Sequence, residues 1–266
     1  MERAAALVTI LTLALPPVVT AREPETGFLE RSVRVGDVDY AYRVYVPPGF
    51  DPARTWPVIL YLHGAGEWGT DGVHQTEVGL GPALRANPER FPALVVFPQA
   101  PRGQVWLGDP ARAATAALDQ AIAEFRGDPD RVYLAGLSMG GYGTWVLAFE
   151  HPERYAAIVS VAGGIVPPNG SRARPSELPP TLQAADPYAA TAARVKSIPA
   201  WLFHGAEDPT VPVTESRRIV EALKKAGAAP RYTEYEGVGH NSWDRAFGGP
   251  ELAQWLLAQR RDRRGR

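Results

Sequence analysis

The sequence of 266 residues contains no cysteine. Disulfide bonds, thiolate zinc sites, iron–sulfur clusters and a cysteine nucleophile are therefore excluded. An excess of charge of one sign is also lacking, because 28 basic and 29 acidic side chains leave a formal net charge of −1. So small a net charge supplies no global field that gathers phosphates, so we expect no nucleic-acid partner.

Low-complexity composition is absent too. The 26 glycines and 26 prolines make up about a fifth of the chain, below the roughly 25 to 30% of low-complexity sequences. With 45% hydrophobic and 21% charged residues, the composition is typical of a soluble globular protein. We predict that residues 22–266 form one large domain that ends in a short basic tail, residues 260–266.

Residues 1–21 have the pattern of a secretory signal peptide. Arg3 gives a positive start, and the apolar run of residues 4–15 is too short to span a bilayer. A buried amphipathic helix is disfavoured because the run has no polar face. The small residues 19–21 fit a cleavage site, so we expect cleavage after Ala21 and a periplasmic or secreted mature protein. With no cysteine after the run, a lipoprotein anchor is excluded, and we expect no membrane anchor.

The hydrophobic pattern predicts an α/β fold. Residues 32–46 alternate between apolar and polar around Gly36-Asp37, which indicates an antiparallel hairpin. Continuous apolar runs then alternate with helical segments, as in a parallel sheet with helices on both faces. The predicted strands are 58–62, 94–97, 132–135, 157–161, 200–203 and 232–236. The predicted helices are 81–86, 110–125, 139–149, 213–226 and 250–259. Residues 64–80 and 163–198 are predicted to be irregular.

The segment Gly136-Leu137-Ser138-Met139-Gly140 lies between a predicted strand and a predicted helix. This placement is typical of a nucleophile elbow that presents Ser138. The flanking glycines allow neighbouring backbones to approach closely, and the N–H groups at the helix start point toward developing negative charge. The alternative is a glycine-rich turn with a capping serine, which the position between strand and helix disfavours.

A serine hydroxyl needs a general base, and the base needs an orienting carboxylate. Asp208 follows the predicted strand 200–203, and His240 follows the strand 232–236. Both are expected at the same sheet edge as Ser138, in the chain order that this elbow architecture uses. Each alone could equally be a cap or a loop histidine, and Glu207 is the reserve acid.

Small residues follow the first predicted parallel strand, in His63-Gly64-Ala65-Gly66. They let the backbone approach a ligand, so we assign the N–H groups of Ala65 and Met139 as oxyanion donors. A glycine-rich turn without a ligand is the alternative. His63 and His204 end strands and are expected to tie loops together by hydrogen bonds.

Side chains near the same edge are candidates for binding substrate. Trp106, Trp243 and Gln99 are the assigned residues, although either tryptophan could equally be core or loop packing. Weaker candidates are Trp68, Asp71 and Gln75. The proposed chemistry requires no metal and no organic cofactor.

Four segments together resemble α/β-hydrolase-fold serine esterases. They are Leu62-His63-Gly64-Ala65-Gly66-Glu67, Gly136-Leu137-Ser138-Met139-Gly140-Gly141, His204-Gly205-Ala206-Glu207-Asp208 with Val211-Pro212, and Gly237-Val238-Gly239-His240. The resemblance covers about residues 32–258. It is closest to the esterase and peptidase group related to prolyl oligopeptidase catalytic domains, with feruloyl esterase-like and dienelactone hydrolase-like proteins nearby. It departs from dienelactone hydrolases, which use cysteine as the nucleophile, and from prolyl oligopeptidases, which carry a propeller.

The resemblance implies an eight-stranded sheet, a catalytic triad at Ser138, Asp208 and His240, and hydrolysis of carboxylic esters. We expect a serine carboxylesterase that forms an acyl-enzyme on short acyl or aryl esters, either small molecules or linked to polysaccharides. A serine peptidase of the same fold is the alternative. A catalytically silent binding module is disfavoured because all three triad residue types are present. The oligomeric state stays open.

Overall fold

The computed structural model describes residues 24–167 and 183–261. The predicted signal peptide, residues 1–21, and residues 262–266 of the predicted tail lie outside the described residues. Among the helices within 24–167 and 183–261, not one combines the length and the apolar character needed to cross a membrane.

Eight strands form one sheet. They are β1 (Gly27–Val35), β2 (Val38–Val46), β3 (Trp56–Leu62), β4 (Leu94–Pro98), β5 (Gly127–Leu137), β6 (Ala157–Val161), β7 (Ala200–Gly205) and β8 (Arg231–Tyr235). Their order across the sheet is β1-β2-β4-β3-β5-β6-β7-β8. β1 and β2 form an antiparallel hairpin, β2 is antiparallel to β4, and every later pairing is parallel. The predicted mostly parallel sheet with an antiparallel N-terminal hairpin is therefore confirmed.

Helices cover both faces of the sheet, as predicted. They are α1 (Leu80–Ala86), α2 (Asp109–Glu124), α3 (Met139–Glu150), α4 (Pro187–Val195), α5 (Thr214–Lys225), α6 (Trp243–Gly248) and α7 (Pro250–Ala258). Buried side chains of α2, α3, α4 and α5 belong to one core, and those of α1, α6 and α7 belong to a second core on the other face. Parallel strands buried on both faces need this double cover.

The prediction that residues 163–198 are irregular is wrong over α4. Asp186 caps this helix, since its carboxylate accepts the N–H groups of Tyr188 and Ala189, and Pro187 occupies the first turn. Proline in the first helical turn and aspartate at the cap are favourable start signals. The alanine-rich body of α4 gives only a weak apolar pattern, so the sequence does not mark it as a helix. The short helix α6 is likewise not among the predicted helices.

The first residues of the predicted basic tail contact the start of β5. A guanidinium nitrogen of Arg260 lies 3.2 Å from the Asp128 carboxylate, and one of Arg261 lies 3.0 Å from that of Asp130. The backbone N–H of Arg261 also donates to the Asp130 carbonyl at 2.9 Å. The chain is therefore held against β5 as far as Arg261.

Candidate active site

Ser138 is the single residue between the end of β5 and the start of α3. Its φ of +50° and ψ of −118° are values that residues with a Cβ rarely adopt, at a cost of about 1 to 3 kcal/mol. Two backbone hydrogen bonds hold this conformation. The Ser138 N–H donates to Val161 at 2.8 Å, and the Ser138 carbonyl accepts from Tyr142 at 3.1 Å. The sheet and the helix thus fix a strained turn that projects the hydroxyl.

Two glycines allow this turn to lie against β3. A Cβ at Gly140 would lie 1.9 Å from the Leu62 carbonyl oxygen, and a Cβ at Gly136 would lie 2.4 Å from the Gly140 carbonyl oxygen. Neither oxygen can rotate away, because both are backbone atoms. The glycines therefore allow the first turn of α3 to touch the end of β3.

The structure brings the three predicted residues of the triad into one hydrogen-bonded chain. Nε2 of His240 lies 2.9 Å from Oγ of Ser138, and Nδ1 lies 2.7 Å from Oδ2 of Asp208. An ionised carboxylate only accepts, so Nδ1 of His240 carries the proton and Nε2 is free to accept from the serine hydroxyl. Glu207, the reserve acid, is exposed, while the Asp208 carboxylate holds the histidine. This arrangement can remove the proton from Ser138.

The carboxylate of Asp208 is completely buried. Its Oδ1 accepts the N–H groups of Thr210 at 2.8 Å and Val211 at 2.9 Å. Burial acts to raise the pKa of Asp208, but hydrogen bonds from His204, His240 and these two N–H groups outweigh it and hold the pKa below its usual value. Asp208 therefore stays ionised, as a partner for a positively charged imidazole must.

The loop after β3 lies against Ser138. A Cβ at Gly64 would be 3.5 Å from Cβ of Ser138. The loop tightens into a single 3-10 turn, Ala65–Glu67, in which the Gly64 N–H donates to the Glu67 carboxylate at 2.8 Å. Burial raises the pKa of Glu67, and its hydrogen bonds with backbone N–H groups oppose the rise. Glu67 is not among the site residues predicted from the sequence.

The N–H groups assigned as oxyanion donors come from the two segments that adjoin Ser138. Ala65 begins the turn after β3, and Met139 begins α3. The first N–H groups of a helix have no acceptor within the helix, so they are available to a ligand. The assignment of Ala65 and Met139 stays a prediction.

His63 supports the loop from inside. It is 1% exposed, its Nε2 accepts the Ala100 N–H at 3.0 Å, and its Nδ1 donates to the Gly64 carbonyl at 2.6 Å. Burial lowers the pKa of His63 to about 4, so the ring is neutral at physiological pH. The expectation that His63 ties segments together by hydrogen bonds is therefore met.

Two residues assigned to substrate binding lie in the interior. Trp106 is 2% exposed, packs edge-on against His63, and donates its indole N–H to the His63 carbonyl at 3.0 Å. Gln99 is 3% exposed and donates to the Glu67 carbonyl at 3.3 Å and to Asp71 at 3.1 Å. In this structure both support the loop after β3, and a role in binding substrate stays a prediction.

Trp243 is the assigned residue that contacts the triad. Its ring is half-buried and meets the His240 ring edge-on, with centroids 5.2 Å apart. Of the weaker candidates, Trp68 is half-buried and donates to the Gln104 carbonyl, whereas Gln75 is fully buried. A role of Trp243 in binding substrate stays a prediction.

Residues 24–167 and 183–261 contain no cluster of three or more His, Asp or Glu side chains that could hold a metal ion.

Comparison with known proteins places the chain in a family. A model of the Esterase family, described as "Putative esterase", matches residues 35–258. The protein "Putative esterase NocK" of Nocardia uniformis subsp. tsuyamanensis is 31% identical over 216 residues, which are 75% of this chain and 60% of NocK. An uncharacterized secreted protein of Arthroderma benhamiae is 28% identical over 205 residues, 71% of this chain and 22% of that protein.

A solved structure agrees with these relatives. The crystal structure of a thermostable esterase has a TM-score of 0.74 and 33% sequence identity, covering 88% of this chain and 63% of its own. The chain thus spans about three fifths of the length of NocK and of this esterase. The predicted α/β-hydrolase fold is confirmed, and the chain belongs to the Esterase family.

Proposed function

We propose that the protein is a serine carboxylesterase with Ser138 as nucleophile, His240 as general base and Asp208 as the orienting acid. The observation that carries the proposal is the chain of hydrogen bonds at 2.9 and 2.7 Å that joins the three side chains. A serine at a strained elbow, hydrogen-bonded to a correctly protonated imidazole, is the arrangement that acyl transfer requires. Membership of the Esterase family supports the same reaction.

The proposed reaction gives each of these groups one role. His240 takes the Ser138 proton while Oγ attacks the ester carbonyl, and the N–H groups of Ala65 and Met139 receive the oxyanion. Such a donor contributes about 3 to 4 kcal/mol. His240 then protonates the leaving alkoxide, and an acyl-enzyme remains on Ser138. Water, activated by the same imidazole, releases the acid and restores the serine. Asp208 stabilises the imidazolium in both halves of the reaction.

We propose short acyl and aryl esters as substrates, free or linked to a polysaccharide. The seven described helices all bury side chains in one of the two cores, so each of them is part of the scaffold around the sheet. The half-buried ring of Trp243 beside His240 offers an apolar edge to a small acyl or aromatic group. The pattern of residues 1–21 supports secretion or export to the periplasm as part of the proposal.

The test is a panel of p-nitrophenyl esters from acetate to decanoate, with feruloyl and acetyl-sugar esters, assayed with the wild type and Ser138→Ala. We expect Ser138→Ala to lower kcat by about 10⁴- to 10⁶-fold without a lower thermal midpoint. Ser32→Ala, at an exposed serine on β1, is the matched control. Activity retained in Ser138→Ala would refute the nucleophile, and activity that rises steadily toward decanoate would refute the short-ester preference.

A paired amide substrate tests the peptidase alternative. Amides have poorer leaving groups than esters, so the p-nitroanilide of the same acyl group should turn over at least about 10³-fold more slowly than the ester. Comparable rates for the two substrates would favour a serine peptidase on the same triad.

A further inference from the structure

A second histidine contacts the same carboxylate as His240. His204 lies on β7 and is 0% exposed. Its Nε2 is 3.2 Å from Oδ2 of Asp208 and 3.0 Å from the Val211 carbonyl oxygen. Its Nδ1 is 2.7 Å from Oγ of Ser216, a buried serine on α5. The ring therefore fills a dry position between the proposed catalytic acid and α5.

The partners of His204 determine where its proton lies. Both neighbours of Nε2, a carboxylate and a carbonyl, can only accept, so Nε2 carries a hydrogen and donates. Nδ1 can then accept from the hydroxyl of Ser216. His204 is thus built as a donor directed at Asp208.

Oδ2 of Asp208 is shared by two imidazoles. His240 lies at 2.7 Å and His204 at 3.2 Å, while Oδ1 is occupied by two backbone N–H groups. The two backbone N–H groups fix the position of Oδ1, and the hydrogen bond from His204 restrains Oδ2. The hydrogen bond also disperses part of the negative charge that His240 experiences.

We propose that His204 is a positioning residue for the triad: its Nε2–H holds Oδ2 of Asp208 in line with His240 and moderates the basicity of that histidine. The proposal rests on the function proposed above. His204 acts through Asp208 and does not itself touch the reacting atoms. A purely structural role, tying β7 to α5 through Ser216, is the competing explanation.

Glu234 beside His204 and Tyr142 near Asp208 keep one protonation state over the pH range to be tested. Glu234 on β8 lies opposite His204 in the sheet register. Hydrogen bonds from Arg217 and Tyr232 lower the pKa of Glu234 to about 2. Burial, with the charges of Glu215 and Asp208, raises the pKa of Tyr142 on α3. Glu234 stays charged and Tyr142 neutral from about pH 5 to 8, where histidine titrates.

Two amide variants separate the competing explanations. The amide nitrogen of Gln in His204→Gln reaches about as far as Nε2 and can still donate to Asp208. The shorter amide of His204→Asn lies near the position of Nδ1, so it keeps the contact with Ser216 and loses Asp208. We expect His204→Asn to lower kcat about tenfold or more, since a hydrogen bond to a charged group is lost, with KM changed less than about threefold.

The pH profile supplies the decisive readout. Without the donor, Asp208 interacts more strongly with protonated His240. The acid limb of the pH profile of kcat/KM should therefore move to higher pH, by about half a pH unit to one pH unit, in His204→Asn. His204→Gln should keep the wild-type limb and most of kcat. Ser216→Ala, which leaves the contact with Asp208 in place, should also keep the limb and is the structural control.

Each outcome decides the proposal. An unshifted acid limb in folded His204→Asn, or equal impairment of the Gln and Asn variants, would overturn it and leave His204 as a structural tie. If His204→Asn does not fold, His204→Phe, which fills the site without a donor, must show the same shift of the limb. Ser138→Ala is assayed in the same experiment. If it keeps its activity, the proposed triad fails; if it loses its activity and the acid limb of His204→Asn is unshifted, only this inference fails.

Discussion

His63 couples the stability of the fold to pH. Its pKa in the folded protein is about 4, against an ordinary value of 6.5, because the ring is buried. The unfolded chain therefore takes up the proton first, and acid favours unfolding. The stabilising contribution is complete above pH 6.5 and is lost as the pH falls toward 4. At about 1.4 kcal/mol per pH unit the loss approaches 3 kcal/mol.

Urea unfolding between pH 7.5 and 4.5 tests this linkage. We expect the free energy of unfolding to fall more steeply with acid in the wild type than in His63→Gln, which is less stable at neutral pH but lacks the titrating ring. The raised pKa of Glu67 has the opposite effect, because acid then stabilises the fold through this carboxyl. Glu67 is present in both proteins, so its contribution cancels when their slopes are compared. Ser32→Ala, at an exposed residue that does not titrate, should keep the wild-type slope. Parallel slopes for wild type and His63→Gln would contradict the prediction.

The sequence allowed the juxtaposition of Ser138, Asp208 and His240 to be predicted but not the interior position of Trp106. Ser138, Asp208 and His240 each follow a strand end, and parallel strands bring those ends to one edge whatever the details of packing. Trp106 faces inward because α3 carries no side chain at Gly143, where a Cβ would lie 2.6 Å from Cβ of Trp106. A contact between residues so far apart in the chain leaves no local pattern.

At the scale of elements, the junction of β3 and α3 depends on Gly140. A methyl group there would overlap the carbonyl oxygens of Leu62 and His63, at 1.9 and 2.7 Å. The backbone of one element has to move, which displaces Ser138 as well. We therefore expect Gly140→Ala to lower the free energy of unfolding by about 3 kcal/mol or more and to abolish ester hydrolysis.

Thermal denaturation and the ester assay measure both effects of Gly140→Ala. Gly248→Ala is the matched control, because a Cβ at Gly248 would meet nothing within 4 Å. That variant should differ from the wild type by less than about 1 kcal/mol. A stable and active Gly140→Ala protein would show that β3 and α3 are less closely apposed than the structure has them.

The type of most elements was predictable, whereas their ends were not. Buried parallel strands are continuous apolar runs, so β3 and β6 were recognisable from composition alone. β5 was predicted over 132–135 but extends from Gly127 to Leu137. Its first half includes Asp128 and Asp130, which pair with the arginines at the chain end. Polar residues that belong to a strand through such distant partners do not fit an apolar pattern.

For the whole molecule, the two cores share a single sheet. Side chains of the same strands alternate between the faces: Leu60 of β3 lies in the core with α2, and Ile59 in the core with α1. Loss of either core removes support from strands that the other core also needs. The proposed active site draws on the ends of β5, β7 and β8, so it too depends on the intact sheet. We expect the described residues, 24–167 and 183–261, to unfold as one cooperative unit.

One cavity-forming substitution in each core tests this prediction. Leu118 of α2 and Leu84 of α1 are both 0% exposed, on opposite faces of the sheet. Replacement of either by alanine should lower the free energy of unfolding by about 2 to 5 kcal/mol. Because the cores are coupled through the strands, both variants should shift the same urea transition, with far-UV circular dichroism, tryptophan fluorescence and esterase activity lost together. Val38→Ala, at a side chain 50% exposed, should change little. A split transition, with one phase moved by Leu118→Ala and the other by Leu84→Ala, would show instead that the two faces fold as separate units.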